Sequence, residues 1–271
     1  MIRRTGLMEF WPPVDIQHVG GLDKLKQYLE NRKMAYISDH LPRPKALLLV
    51  GIPGTGKSLS CKAAASILGW PLIRLDISAL KASLVGESEK RMRQACATID
   101  AFGQAVVWLD EIDKSFSGMN SQNDSGTTAG MFGTFLTWLQ ETEAPVLVMA
   151  TANDISGLPP EFLRAGRFDA LFFVDLPNAA ERSDIITIMN KRYGSSIPAD
   201  QAEQFQGWTG AELEQLAKDS LFDGLDEAAA TIVPLSKTMK EQIQALRDWA
   251  RTRARRANAA EEATQKVRRI S

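Results

Sequence analysis

Gly51-Ile52-Pro53-Gly54-Thr55-Gly56-Lys57-Ser58 satisfies the pattern G-x-x-x-x-G-K-S without exception, and it decides how the rest of the chain is read. Glycines let a backbone wrap closely around an anion, with successive N–H groups pointing inward. A helix opening at the end of such a loop adds the positive end of its dipole. In this pattern Lys57 reaches the β- and γ-phosphates of a nucleotide, and the Ser58 hydroxyl ligates magnesium. The context agrees, because the loop follows the apolar run Ala46-Leu47-Leu48-Leu49-Val50 and precedes a helix starting near Lys57.

Working outward, short runs nearly continuous in Val, Leu, Ile or Phe predict strands over 45–50, 72–76, 105–110, 145–150 and 171–175. Such runs belong to strands buried on both faces, as in parallel sheets. Helical stretches over 57–68, 87–102 and 130–143 alternate with them. This gives an α/β fold, with a five-stranded parallel sheet flanked by helices. Residues 115–128, rich in Ser, Asn, Gly and Thr, predict a loop that is either an exposed connection or functional. After Pro177 the strand signal stops, and helices are predicted over 178–193, 199–205, 210–223 and 235–256. Asn178 followed by Glu181 reads as a helix N-cap close to a capping box. The expected division is therefore an α/β domain over 1–177, including an N-terminal lead-in segment, and a small all-helical lid domain over 178–271 with a basic tail.

Composition narrows the function. The chain has 271 residues, one large domain or two modest ones at roughly 100–200 residues each. With 44% hydrophobic and 24% charged residues it can bury a core, which excludes a mainly disordered chain. The formal net charge of -1 gives no general pull toward nucleic acid or membrane. No apolar run approaches the ~18 residues that cross a bilayer, and the first fifteen residues lack the apolar stretch of a signal peptide. Cys61 and Cys96 are too few for a disulfide framework and suit a reducing compartment. Two histidines, His18 and His40, exclude a His-rich metal site, and neither has a nucleophile motif to serve.

Three further elements follow the phosphate loop in order. Val106-Val107-Trp108-Leu109-Asp110-Glu111 is an apolar strand ending in two carboxylates. In a parallel sheet these lie beyond the carboxyl ends of the strands, where ligands sit. Asp110 would help hold magnesium, and Glu111 would polarise the attacking water. Asn153, ending the next apolar run, would orient the same water. Arg164 and Arg167, three apart, would present guanidinium groups along one surface, and an arginine supplied by a neighbour neutralises transition-state charge.

Together these elements resemble the AAA+ ATPases, specifically the AAA clade, over about residues 15–223. Gly51 to Ser58 is similar to Walker A, Val106 to Glu111 to Walker B, Asn153 to sensor 1, and Arg164 with Arg167 to the arginine-finger pair. Val19-Gly20-Gly21-Leu22 resembles the lead-in segment that lies against adenine in this family. Gly210-Ala211-Glu212-Leu213 resembles the AAA-clade sensor 2 turn. The resemblance implies ATP and Mg²⁺ as cofactors. It places Val19, Gly20, Pro53, Gly54, Thr55, Gly56, Lys57, Ser58, Leu59, Asp110, Gly210 and Ala211 around the nucleotide, with Ser58 and Asp110 on the metal. It makes Lys57, Glu111, Asn153, Arg164 and Arg167 catalytic, the two arginines acting in trans within a homo-oligomeric, hexameric ring.

Ser83 to Glu89, Phe132 to Gln140 and Leu235 to Glu241 further resemble the AAA proteins of cyanobacteria and algal plastids, with relatives in other bacteria. Those commonly carry another domain before the ATPase region, so the resemblance leaves open that the chain is a fragment or a short form. The implied activity is a motor that moves or remodels a protein substrate, in the cytoplasm or in a plastid stroma for an algal source, and not at a membrane. Leu84-Val85-Gly86 stands where protein-unfolding members carry an aromatic-hydrophobic-Gly triplet, and without the aromatic the grip on an extended peptide weakens. Ala165 stands where proline is frequent. The alternative is an ATPase acting on nucleic acid. It draws on the seven basic residues of 251–271 against Glu261 and Glu262, and is disfavoured because that tail has no aromatic side chain for base stacking. A nucleotide-gated scaffold has no need for Glu111, Asn153 and both arginines together.

Overall fold

The computed structural model describes residues 7–38, 40–80, 86–116, 127–158, 162 and 166–259. Its strands are β1 (Met8–Trp11), β2 (Ala46–Gly51), β3 (Leu72–Leu75), β4 (Ala105–Leu109), β5 (Val146–Ala152), β6 (Ala170–Val174) and β7 (Arg255–Arg256). Its helices are α1 (Asp23–Lys33), α2 (Lys57–Leu68), α3 (Ile77–Leu80), α4 (Glu87–Phe102), α5 (Ile112–Phe116), α6 (Thr127–Glu141), α7 (Ala179–Tyr193), α8 (Gly210–Asp223), α9 (Leu225–Thr231), α10 (Leu235–Thr238) and α11 (Lys240–Arg253).

The strands form one sheet in the order β1-β3-β4-β5-β2-β6-β7. The five parallel strands expected from the sequence, β2 to β6, make up its body. Leu47, Leu48, Leu49 and Val50 of the central strand have no exposed surface. Alternate side chains point to opposite faces. Leu48 and Val50 therefore enter one core with Val148 and Ala150, and Leu47 and Leu49 enter the other with Leu147 and Met149. The first core is closed by α4, α6 and α11, through Met92, Ile99, Phe135, Leu139, Ile243 and Leu246. The second is closed by α1 and α2, through Leu25, Leu29, Cys61, Ala64 and Leu68. Burying one such leucine contributes about 1.5–3 kcal/mol.

Two strands add to the expected five. β1 pairs antiparallel with β3, from Met8 with Leu75 to Trp11 with Leu72. β7 pairs parallel with β6, although only helices were expected beyond Pro177. The helix expected over 235–256 is divided at Met239 and ends at Arg253, because Ala254 turns to extended backbone at φ -126°, ψ 150° and leads into β7. Residues 199–205 form a 3₁₀ segment rather than an α-helix. Of the loop expected over 115–128, residues 117–126 lie outside the described residues.

Past Pro177 the chain builds a small helical lobe around Ile186, Phe205, Trp208, Leu213 and Leu216. Its first helix opens with the capping box read from the sequence. The Asn178 side chain accepts from the Glu181 N–H at 2.9 Å, and the Asn178 N–H donates to the Glu181 carboxylate at 3.0 Å. Thr209 and Glu212 repeat the device at α8. The chain then crosses back to the sheet. Arg247 of α11 grips Asp175 with Nη2 at 2.8 Å and Nε at 2.9 Å. The Ala257 N–H donates to Phe173 O at 2.9 Å, and Ala257 O accepts from the N–H groups of Lys24 and Leu25. Residues 240–258 thus join the α/β layer that Pro177 was expected to close.

Candidate functional site

β2 delivers the chain directly into the Gly51–Ser58 loop. A Cβ on Gly51 would lie 2.2 Å from Val174 O, so the loop leaves the sheet where β6 presses hardest. Gly56 sits at φ +95°, a left-handed backbone that side chains disfavour, and reverses the chain into the first turn of α2. Lys57 opens that helix, and its buried ammonium donates to Gly51 O at 2.8 Å and Ile52 O at 2.7 Å. Burial pushes its pKa down to about 8, against the opposing charges of Asp113, Asp110 and Glu111. Among the described residues this buried cation has no hydrogen-bonded counter-ion, and it lies beside a loop suited to anions.

The ends of β4 and β5 face the loop. Asp110 Oδ1 accepts from Ser58 Oγ at 2.9 Å and from Thr151 Oγ1 at 2.7 Å. Glu111 has φ +47°, rare for a residue with a side chain, and such conformations cost about 1–3 kcal/mol and gather at functional sites. Three bonds hold it. Its N–H donates to Thr151 Oγ1 at 2.9 Å, its carboxylate accepts from Asn153 Nδ2 at 2.9 Å, and Lys114 Nζ lies 2.8 Å from its other oxygen.

The helical lobe covers the loop from above. The Ala211 N–H donates to Gly54 O at 3.1 Å, and a Cβ on Gly54 would meet Thr209 Oγ1 at 3.0 Å. Between the lobes lies a cleft of about 370 Å³. Val19, Gly20, Pro53, Gly54, Thr55, Gly56, Lys57, Ser58, Leu59, Asp110, Glu111, Asn153, Gly210 and Ala211, all singled out in the sequence, border it together. Arg167 does not; its Nη1 donates to Gln140 Oε1 at 2.7 Å on α6. Arg164, Leu84 and Val85 lie outside the described residues.

The cleft also takes in residues the sequence did not announce, among them Thr151, Ile185, Ile188, Met189, Arg192 and Glu214. Ile185, Ile188 and Met189 follow helical spacing, which reads as core. Thr151 gave a usable signal, as a hydroxyl buried in the apolar strand β5 must find a partner. Arg192 lies 4.0 Å from Glu214. Against the pull of burial, hydrogen bonds from Tyr193 and Lys218 hold the Glu214 carboxyl below its ordinary value.

Comparison with known proteins agrees with this geometry. Residues 47–176 match the family described as ATPase family associated with various cellular activities (AAA). An uncharacterized AAA domain-containing protein, ycf46, of Pyropia yezoensis is 45% identical over 271 residues, covering 92% of this chain and 55% of its own length. The ATP-dependent zinc metalloprotease FtsH of Mycoplasmopsis pulmonis is 30% identical over 220 residues, covering 78% of this chain and 30% of its own length. The crystal structure of the FIGL-1 AAA domain superposes with a TM-score of 0.75 at 21% identity, covering 94% of each chain. The chain spans about half the length of the curated ycf46 relatives it matches.

Proposed function

Because the chain belongs to the AAA family of ATPases, we propose that its cleft binds and hydrolyses ATP with Mg²⁺, and that a ring of such chains uses the energy to remodel or move a protein. The observation that carries the reading is the pair of adjacent carboxylates with divided duties: Asp110 turned to Ser58 and Glu111 turned to Asn153.

The donor set fits the implied ligands. Lys57, buried and short of a counter-ion, suits the phosphates. Ser58 and Asp110 offer hard oxygens to Mg²⁺, and among the described residues no group of three His, Cys, Asp or Glu side chains could hold a metal unaided. That suits an ion held by one or two protein oxygens and substrate phosphates. When bound, Mg²⁺ supplies positive charge to the β- and γ-phosphate oxygens. Glu111 takes the proton of the attacking water, and Asn153 fixes the carboxylate that receives it. The lobe bearing Gly210 and Ala211 closes over the loop and keeps out bulk water.

Arg164 and Arg167 act on the γ-phosphate of the next subunit, which calls for a head-to-tail interface of the kind that closes into rings; the number six rests on the membership of the AAA family alone. A protein substrate is supported by the likeness to FtsH, named as an ATP-dependent protease. A cytoplasmic or, in an alga, stromal location rests on the algal relatives; among the described residues no helix is long and apolar enough to cross a membrane. Phosphate release tests the chemistry: Lys57→Ala should lose nucleotide binding, and Glu111→Gln should bind without turnover. Electron microscopy of the Glu111→Gln chain with ATP tests the motor, with polypeptide density in the pore of a ring as the expected result.

A further inference from the structure

A second cleft, of about 760 Å³ and so roughly twice the nucleotide cleft, opens on the other side of the connection between the lobes. One wall is the hinge Asp175-Leu176-Pro177-Asn178, another is Gln206, Gly207 and Ser236 of the helical lobe, and the third is α11 with β7. Lys240, Gln244, Arg247 and Arg251 fall at i, i+4, i+7 and i+11, so they share one face of α11 and line this wall. Arg256 adds a cation from β7, where it pairs with Phe173 of the same wall, while Arg255 lies over the Tyr28 ring.

The charges do not balance. Arg247 is engaged by Asp175, and Gln244 Nε2 donates to Asp248 Oδ1 at 3.3 Å. Glu181 is engaged by Leu22 N–H and by the Asn258 amide. Lys240, Arg251 and Arg256 have no anionic partner among the described residues, and Asp248 is the acid left to set against them. Like charges brought to one wall repel, and an anion relieves the repulsion. Lys240 and Arg251 stand about 16 Å apart along the helix axis, a span suited to an elongated ligand with several charges. Guanidinium groups match phosphate oxygens in paired hydrogen bonds.

We propose that this cleft binds a small, elongated polyanion bearing two or more phosphate groups, at a site separate from the nucleotide cleft. The bound ligand bridges α11 to the hinge and so fixes the angle between the lobes. Inorganic tripolyphosphate is the probe, titrated calorimetrically without divalent metal into the full chain carrying Lys57→Ala, which removes phosphate affinity from the Gly51–Ser58 loop. Saturable binding is expected, weakened about tenfold by Arg251→Ala and again by Arg256→Ala. ADP binding by the Arg251→Ala, Arg256→Ala chain with Lys57 intact should match the parent, which shows that this chain folds. An absence of heat with tripolyphosphate, equal affinity with and without the two arginines, or tighter binding of a poly-glutamate peptide than of tripolyphosphate would each overturn the proposal; the last would make the cleft a surface for an acidic protein segment.

Discussion

The amide of Asn153 and the carboxylate of Glu111 meet at 2.9 Å across the ends of two neighbouring parallel strands. Glu111→Gln should lower turnover by about 10²–10⁴, the usual worth of a positioned base, and leave nucleotide binding intact. Asn153→Ala should cost about tenfold to a hundredfold through misplacement of that base. The double variant should be little worse than Glu111→Gln alone, because both substitutions act on one group. Steady-state phosphate release measures all three, and a Glu111→Gln chain at the parent rate would remove Glu111 from the mechanism.

Lys57 makes nucleotide binding a protonation event. With its pKa near 8 in the free protein, about half of the ammonium is neutral at pH 8, and phosphate raises the pKa again. ATP binding should take up about half a proton at pH 8 and little below pH 7, read from calorimetry in buffers of different ionisation enthalpy. The folded pKa lies below the unfolded 10.5. The unfolded chain therefore holds more protons between these values, and this group's contribution to stability rises with pH from about 8 to 10.5. Lys57→Met should be more stable than the parent at pH 7 without nucleotide, by roughly 1–3 kcal/mol; a less stable variant would contradict the sign.

Thr151 joins both carboxylate residues, donating to Asp110 Oδ1 and accepting from the Glu111 N–H. Thr151→Val keeps the shape, strands the Glu111 N–H and leaves Asp110 Oδ1 with Ser58 alone, which should cost about 1–3 kcal/mol in urea unfolding. Turnover should fall as well, because the left-handed backbone at Glu111 loses an anchor. Thr151→Ser should retain both properties, and a valine variant as stable as the parent would show that the hydroxyl is idle.

Ring assembly predicts shared activity. Turnover per chain should rise with protein concentration until rings are populated. Arg164→Ala or Arg167→Ala should slow turnover without weakening ATP binding to an isolated chain. Mixing Glu111→Gln chains with Arg167→Ala chains should restore part of the activity relative to Arg167→Ala alone, since some interfaces then join an intact Glu111 to an intact Arg167. Concentration-independent activity with both arginine variants fully active would place a complete site within one chain.

The sequence announced what local chemistry decides. Leu47 to Val50 read as a buried strand because the run is apolar throughout, and α2 read correctly between Gly56 and Gly69 because both glycines take left-handed backbone. The grouping of the loop with Asp110, Glu111 and Asn153 followed from their order along the chain. Elements fixed by distant partners stayed hidden. β1 carries exposed Glu9 and Phe10 and exists by pairing with β3. β7 is two exposed arginines with no apolar signal, held by the bond from Ala257 to Phe173 and those from Lys24 and Leu25. The lid residues Ile185, Ile188 and Met189 look like core from sequence because one apolar spacing serves both a lobe's interior and a wall of its cleft.

The position of β2 in the sheet has a consequence during synthesis. Its register joins Ala46 to Val148 and Leu47 to Ala170, so neither neighbour exists when β2 leaves the ribosome. At about 5–20 residues per second, the roughly one hundred intervening residues take about 5–20 s to be made. For that interval a strand buried along its whole length in the folded protein has both edges open, the condition under which nascent chains associate wrongly or need a chaperone.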